Sequence, residues 1–396
     1  MPRAFVIVID ALGIGAMPDY ASYDDAQGAN TLGNIDANVA SLKLPTLEAM
    51  GLGHLLPLRH VSASQPPMAQ VARLAERSVG KDTTTGHWEM MDVLLSEPFP
   101  TYPEGFPAHL IEAFCQQTGL SGVLANKPAS GTTILTEYGE QHELTGLPIL
   151  YTSADSVWQL AAHVEVVPLE TLYHWCHVAR KLLCGEHEVS RVIARPFTGK
   201  AGAYQRLGAQ RHDYAVPPPP DTTLTRLVQG GCHTLGMGKI ADIFCAQGLS
   251  HSVHTNSNAH GLALLKQVAQ GEFDWAAHAL PDPSHPVAPT AKGQLVFINL
   301  VETDMNYGHR RDVAGYAHAL EQVDAGLAEL LPHLTPHDVV MITGDHGCDP
   351  TAPGSDHTRE YVPWLVYQPS VAGGVLGTLQ GFNHVGLKAE AHLLGA

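Results

Sequence analysis

Three short runs of β-branched and aliphatic residues, each ending in acid, constrain this chain more than any other feature. Phe5-Val6-Ile7-Val8-Ile9 stops at Asp10 and continues into Gly13-Ile14-Gly15. Leu295-Val296-Phe297-Ile298-Asn299-Leu300-Val301 leads into Glu302-Thr303-Asp304, and Val339-Val340-Met341-Ile342 leads to Gly344-Asp345-His346. Uninterrupted apolar runs of this kind suit buried strands, and open α/β sheets place their ligands at the C-terminal ends of such strands. Between the second and third runs, Val313, Tyr316, Leu320, Val323, Leu327 and Leu331 recur at helical spacing behind Asp312, a plausible N-cap. Strand, helix, strand in that order predicts a β-α-β unit and hence an α/β, doubly wound sheet.

The acids come with imidazoles. Asp345-His346 and Asp356-His357 form two carboxylate-imidazole pairs close together, and His309 follows Asp304 by five positions. Carboxylate oxygen and imidazole nitrogen together suit a borderline divalent ion such as manganese or zinc. Adjacent acid and imidazole at the end of a buried strand are costly to bury unpaired. Taken singly, Asp10 fits a helix cap, Asp304 a turn and His309 a surface histidine; taken together they predict two adjacent metal ions. A reacting group is offered by Gly80-Lys81-Asp82-Thr83-Thr84-Thr85-Gly86-His87-Trp88-Glu89. A hydroxyl touching a divalent ion is acidified and becomes a phosphoryl acceptor. Thr83, Thr84 and Thr85 all qualify by chemistry, while a turn or helix cap is the plainer use of such a segment.

The motifs Asp10-Ala11-Leu12-Gly13-Ile14-Gly15, Gly80 through Glu89, Tyr151-Thr152-Ser153-Ala154-Asp155-Ser156, Gly308-His309-Arg310-Arg311-Asp312 and Asp345-His346-Gly347-Cys348-Asp349-Pro350 occur in one order along the chain. In that order they resemble the phosphopentomutases, a branch of the alkaline-phosphatase-like metalloenzymes. The resemblance implies an alkaline-phosphatase-like core with an inserted α+β cap, and a mutase that moves a phosphoryl group between carbons 1 and 5 of ribose or deoxyribose in nucleoside catabolism. It implies Thr83 as the phosphoryl carrier and a 1,5-bisphosphate intermediate. Asp10, Thr83, Asp345 and His346 would gather around one of two divalent ions, taken as manganese, and Asp304, His309 and His357 around the other. Ser153 and Asp155 would contact the sugar, and Arg191, Arg206 and Lys239 the phosphate or sugar. A sugar 1,6-bisphosphate would act as activator. The chain departs from the common pattern at Ala11, where a serine is usual, at Glu302-Thr303 and at Gly344.

Composition narrows the partners. With 22 basic and 39 acidic side chains the net charge is −17, which argues against a nucleic-acid or anionic-membrane partner. A phosphate substrate remains compatible, because metal ions and a few arginines reverse the field inside one cleft. Six cysteines without a Cys-x-x-Cys pair point away from a disulfide framework or zinc ribbon, and no apolar segment approaches membrane-spanning length. A cytoplasmic protein is therefore expected, and the resemblance implies a small sugar phosphate as its substrate. The character of the chain changes between about Ser96 and Pro217, and Pro217-Pro218-Pro219-Pro220 forms a stiff boundary. The expected division is a metal-binding core, residues 1–97 and 218–396, and an inserted cap, residues 98–217. A phosphatase or phosphodiesterase using the same centre, a phosphoglycerate mutase and a non-enzymatic metal-binding protein are the competing readings.

Overall fold

The computed structural model describes residues 1–63, 66–153, 156–281 and 283–395. The chain divides into two compact units, Met1–Glu97 with Pro217–Ala396, and Pro98–Val216. In chain order the strands are β1 (Arg3–Ile9), β2 (Gln70–Ala75), β3 (Leu124–Pro128), β4 (Ile149–Thr152), β5 (Val157–His163), β6 (Arg191–Thr198), β7 (Gln205–Arg206), β8 (His212–Ala215), β9 (His233–Met237), β10 (His251–Val253), β11 (Gln294–Leu300), β12 (Asp338–Thr343), β13 (Val362–Tyr367) and β14 (Gly374–Gln380). Among the described residues no helix is long and apolar enough to cross a membrane.

The first unit is built on a sheet of order β10-β9-β11-β1-β12-β13-β2-β14. The three apolar runs are its centre: β1 lies between β11 and β12, parallel to both, with Val6 level with Phe297 and Met341. The β-α-β unit predicted from β11 to β12 thus steps over β1 rather than joining neighbours. Its crossover is the helix Val313–Leu330, and the Asp312 carboxylate accepts the Gly315 N–H at 2.9 Å as its cap. Alternate side chains of a strand face opposite sides. Phe5, Ile7 and Ile9 accordingly share one apolar cluster with Val296, Ile298, Val340 and Ile342 and with Tyr316, Leu320, Val323 and Leu327 of that helix. The helix His384–Leu394 packs on β1 and β11 and buries Val385, Ala389 and Leu393 outside that cluster, so helices cover both faces of the sheet.

The sheet is not parallel throughout. β13 runs antiparallel to both β12 and β2. The physical reason lies in its connection: a parallel neighbour needs a crossover, usually helical, whereas residues 344–361 contain no helix and carry the acidic and imidazole side chains instead. The second unit is α+β. It has a mixed sheet of order β3-β4-β5-β6-β7, with β8 also on β6, and helices Ala108–Thr118, Gly131–Thr145 and Leu169–Leu182. Trp158, Phe114, Leu160 and Trp175 anchor one of its cores, and Tyr151, Phe197 and Ile134 another.

One buried histidine of the first unit makes stability depend on pH. His251 of β10 is 5% exposed, lies 5.0 Å from His233 and meets Trp275 edge-on at 5.0 Å. Burial, reinforced by His233 and His278, pushes its pKa down to about 4, against about 6.5 for an unfolded histidine. Between those values the unfolded chain binds the extra proton, so the contribution of this site to stability is lost as pH falls from 6.5 toward 4. Urea midpoints at pH 7.5 and pH 5 should therefore fall further for the native chain than for His251→Phe. An equal fall would refute this origin.

Candidate metal centre and active site

Register sets the geometry of the centre. Ile9 is level with Leu300 and Val8 with Thr343, so the residues that follow β1, β11 and β12 emerge together at one edge of the sheet. Asp10 follows β1 directly. Asp304 sits in a π-helical turn, Thr303–Gly308, that follows β11 and delivers His309 at its end; such turns recur at functional sites. Asp345, His346 and His357 stand on the long connection from β12 to β13.

Six of the residues singled out in the sequence come together here. Nε2 of His346 lies 3.5 Å from Asp10 Oδ1 and 3.3 Å from Asp345 Oδ2. Asp304 takes His309 Nε2 at 3.3 Å on one oxygen and His357 Nε2 at 3.5 Å on the other. The two imidazole nitrogens, Nε2 of His309 and of His357, face each other at 3.1 Å. Asp10, Asp304 and His346 form one set of potential ligands and Asp304, His309 and His357 a second, with the ligand atoms of each set within 4.8 Å of one another. Asp304 belongs to both sets, a sharing that its spacing in the chain does not reveal. Asp345 stands beside the first.

The electrostatics call for positive charge. Asp10 and Asp345 are wholly buried and Asp304 is 4% exposed. Asp10 Oδ1, Asp304 Oδ1 and Asp345 Oδ2 are buried without a hydrogen-bond partner among the described residues. Burial, with repulsion from Asp345 and Asp304, holds Asp10 well above the ordinary carboxylate range. Burial works the same way on Asp304, but the neighbouring imidazoles of His309 and His357 outweigh it and hold this carboxylate low. The bond to Asp304 raises His309 to about 9. Burial and the charge of His346 push His357 down. Buried like charges are tolerated when paired or metal-bound; this donor set of carboxylates and imidazoles fits divalent ions.

The three threonines are not equivalent. The Asp82 carboxylate caps the helix Thr83–Met90, accepting N–H groups of Thr84 at 3.0 Å and Thr85 at 3.2 Å, and it also accepts the Thr85 hydroxyl. Thr83 Oγ1 instead lies 3.1 Å from His346 Nε2. Gly86 lets this helix come close, because a Cβ there would collide with the Asp345 carbonyl. His87, wholly buried, bonds the Thr83 carbonyl at 2.8 Å and reaches Asp345 Oδ2 at 3.3 Å. The amide of Asn299 stands 3.1 Å from both Asp10 Oδ2 and His87 Nε2.

Two side chains that sequence reasoning passed over organise the loops. The buried Glu360 carboxylate accepts N–H groups of Gly15 at 3.0 Å and Thr31 at 2.9 Å and the hydroxyls of Thr31 and Thr358, both at 2.7 Å. Arg359, 3% exposed, pairs with Glu76 and donates to the carbonyls of Ser78 at 2.9 Å and Gly80 at 2.7 Å, fixing the segment that leads to Thr83. Their only signal was position, directly after His357-Thr358. Lys81 links Asp25 at 2.8 Å to Asp356 at 3.1 Å, and Asp349 accepts the Asn30 N–H and the Asn34 amide.

The residues expected to meet substrate are spread over both units. Lys239 follows β9 in the first unit, and its charge acts to lower the pKa of Asp10. In the second unit, Ser153 follows β4, Arg191 opens β6 with Nη1 3.7 Å from Asp213 Oδ2, and Arg206 is exposed on β7. Asp155 lies outside the described residues.

A family description, Metalloenzyme superfamily, matches residues 2–393. A phosphopentomutase of Anaeromyxobacter sp. (strain K) is 50% identical over 388 residues, spanning 97% of this chain and 93% of that protein. One of Caldanaerobacter subterraneus is 47% identical over 374 residues, spanning 94% and 89%. Among solved structures, the PH0037 protein from Pyrococcus horikoshii superposes with a TM-score of 0.50 at 14% identity over 100% of this chain and 98% of that one, a likeness of fold alone. A family match over nearly the whole length, and named relatives sharing up to 50% of their residues, show that the chain belongs to the phosphopentomutase family of the metalloenzyme superfamily, isomerases that act as intramolecular phosphotransferases.

Proposed function

We propose that this chain interconverts α-ribose 1-phosphate and ribose 5-phosphate, and the 2-deoxyribose pair, through a phosphorylated Thr83. The observation that carries the reading is the place of Thr83 Oγ1, 3.1 Å from His346 Nε2, at the first turn of a helix and beside two sets of potential metal ligands that share Asp304. The N-terminal end of a helix favours the negative charge a phosphoryl group would bring there.

In this reading the free hydroxyl of the sugar phosphate attacks the phosphorus carried by Thr83. The bond from phosphorus to Thr83 Oγ1 breaks, Oγ1 keeps the electron pair, and a 1,5-bisphosphate is formed. After the bisphosphate reorients, Oγ1 attacks its other phosphoryl group, the bond to the sugar oxygen breaks, and that oxygen takes up the proton given up in the first step. Asp10, Asp304, His346 and Asp345 would hold one ion, and Asp304, His309 and His357 the other. The two divalent ions, which we take to be manganese, supply the charge that neutralises phosphoryl oxygens and acidifies hydroxyl groups. His87 and Asn299 keep Asp345 and Asp10 aimed, and Arg359 keeps the approach to Thr83 in place.

We assign recognition of the sugar phosphate to Lys239 and, in the inserted unit, to Ser153, Asp155, Arg191 and Arg206. The arginine fork matches phosphate oxygens bidentately. A sugar 1,6-bisphosphate would charge enzyme that lacks the phosphoryl group. The reading implies a small-molecule pentose phosphate substrate and a cytoplasmic setting.

The purified chain with manganese, a trace of glucose 1,6-bisphosphate and ribose 1-phosphate should form ribose 5-phosphate with negligible free phosphate. Stoichiometric free phosphate would make it a phosphatase on the same centre. Thr83→Ala should lower turnover by about 10⁴-fold or more while melting as the native chain does; near-native activity would remove Thr83 from the mechanism. Because Asp304 belongs to both ligand sets, Asp304→Asn should lose both manganese equivalents in equilibrium dialysis, whereas His309→Gln should lose one. Equal losses in the two variants would argue against a shared carboxylate.

A further inference from the structure

The inserted unit carries another pair of facing imidazoles, far in sequence from every potential metal ligand named above. His109, in the first turn of the helix Ala108–Thr118, places Nε2 3.2 Å from Nε2 of His187, the last residue of the turn Gly185–His187. Their ring centres are 5.2 Å apart. The Tyr102 hydroxyl stands 2.8 Å from Nδ1 of His187, and the carboxylate of Glu186 lies 3.8 Å from its Nε2.

We propose that His109 and His187 together bind a divalent cation of the borderline class that imidazole favours, with zinc as the type case, and that this ion clips the start of the helix Ala108–Thr118 to the turn Gly185–His187. Three observations point there. Two imidazoles bound through Nε2 to one tetrahedral zinc put their nitrogens about 3.3 Å and their ring centres about 5.2 Å apart, and the observed 3.2 Å and 5.2 Å match both values. An in-line proton shared between the rings across the observed 3.2 Å would instead set the centres about 5.5 Å apart. The arrangement also repeats the facing pair His309 and His357 of the active-site cluster, whose nitrogens are 3.1 Å apart and where Nδ1 of His309 bonds the Ser355 carbonyl oxygen at 2.6 Å.

The environment is built for ligation. Histidines that bind metal through one nitrogen donate the other N–H to an oxygen that fixes tautomer and ring angle. Tyr102 is placed to accept from Nδ1 of His187 in this way, leaving Nε2 with its lone pair directed at His109. Glu186, whose side chain is 88% exposed, can swing its carboxylate to the ion and supply a third ligand and compensating charge, and water would complete the shell. Imidazole ligands select zinc, copper or nickel over magnesium or calcium, so this site would ignore the metals that oxygen-rich sites prefer.

The test uses the intact chain saturated with manganese and then equilibrated with buffered free zinc, bound metal being counted by mass spectrometry. The native chain should hold one zinc equivalent more than His109→Gln and than His187→Gln, and Asp304→Asn, which alters only the active-site cluster, should keep that equivalent. Tyr102→Phe should weaken it by about tenfold. The same zinc count in the native chain and in His109→Gln, an exposed and structurally mild change, would overturn the proposal and leave the pair as a proton-sharing contact. So would a count that falls with Asp304→Asn but not with either histidine variant.

Discussion

Asp10, Asp304 and Asp345 end three adjacent strands where almost no water reaches them, and their mutual repulsion has to be met by positive charge delivered to the same spot. The neighbouring side chains answer that demand. His346 lies between Asp10 and Asp345, and His309 and His357 divide the two oxygens of Asp304 between them. Histidine alone does not finish the task, since one oxygen of each carboxylate stays without a hydrogen bond among the described residues. The centre is thus arranged for cations, at a cost in buried charge that a fold without such a function would have no reason to carry.

Placing several of those groups depends on connections without regular structure, and these are held by two consecutive side chains. Glu360 ties the turn after β1 and the start of the helix Thr31–Asn38 to the strand that follows the ligand loop. Arg359 does the same for the segment 76–80 that leads to Thr83. Both are buried charged groups with nearly every donor or acceptor used. In such networks, breaking one member is expensive because the partners are left unsatisfied. The placing of these groups therefore rests on residues outside both sets of potential ligands.

Much of this was legible beforehand. The strands β1, β11 and β12 and the helix Val313–Leu330 follow from hydrophobic period, which is a local property. The acids and imidazoles at their ends follow from residue type and from motifs shared with the phosphopentomutases. The antiparallel course of β13 was not legible, because an apolar strand reads the same in either direction and only the missing helical crossover decides it. The pairing of Arg359 with Glu76, and of Glu360 with Thr31, joins segments hundreds of positions apart and leaves no periodic trace.

By itself the sequence determined which residues are chemically able to form a metal and phosphoryl-transfer centre, and that they stand at the ends of buried strands, because both are fixed by side-chain chemistry and short-range pattern. Only the tertiary structure decided that Asp304 belongs to both ligand sets, that Thr83 rather than Thr84 or Thr85 faces His346, and that His109 meets His187. Those are distances between elements brought together by sheet register and helix packing. A linear chain carries no measure of them until its apolar faces have been buried against one another.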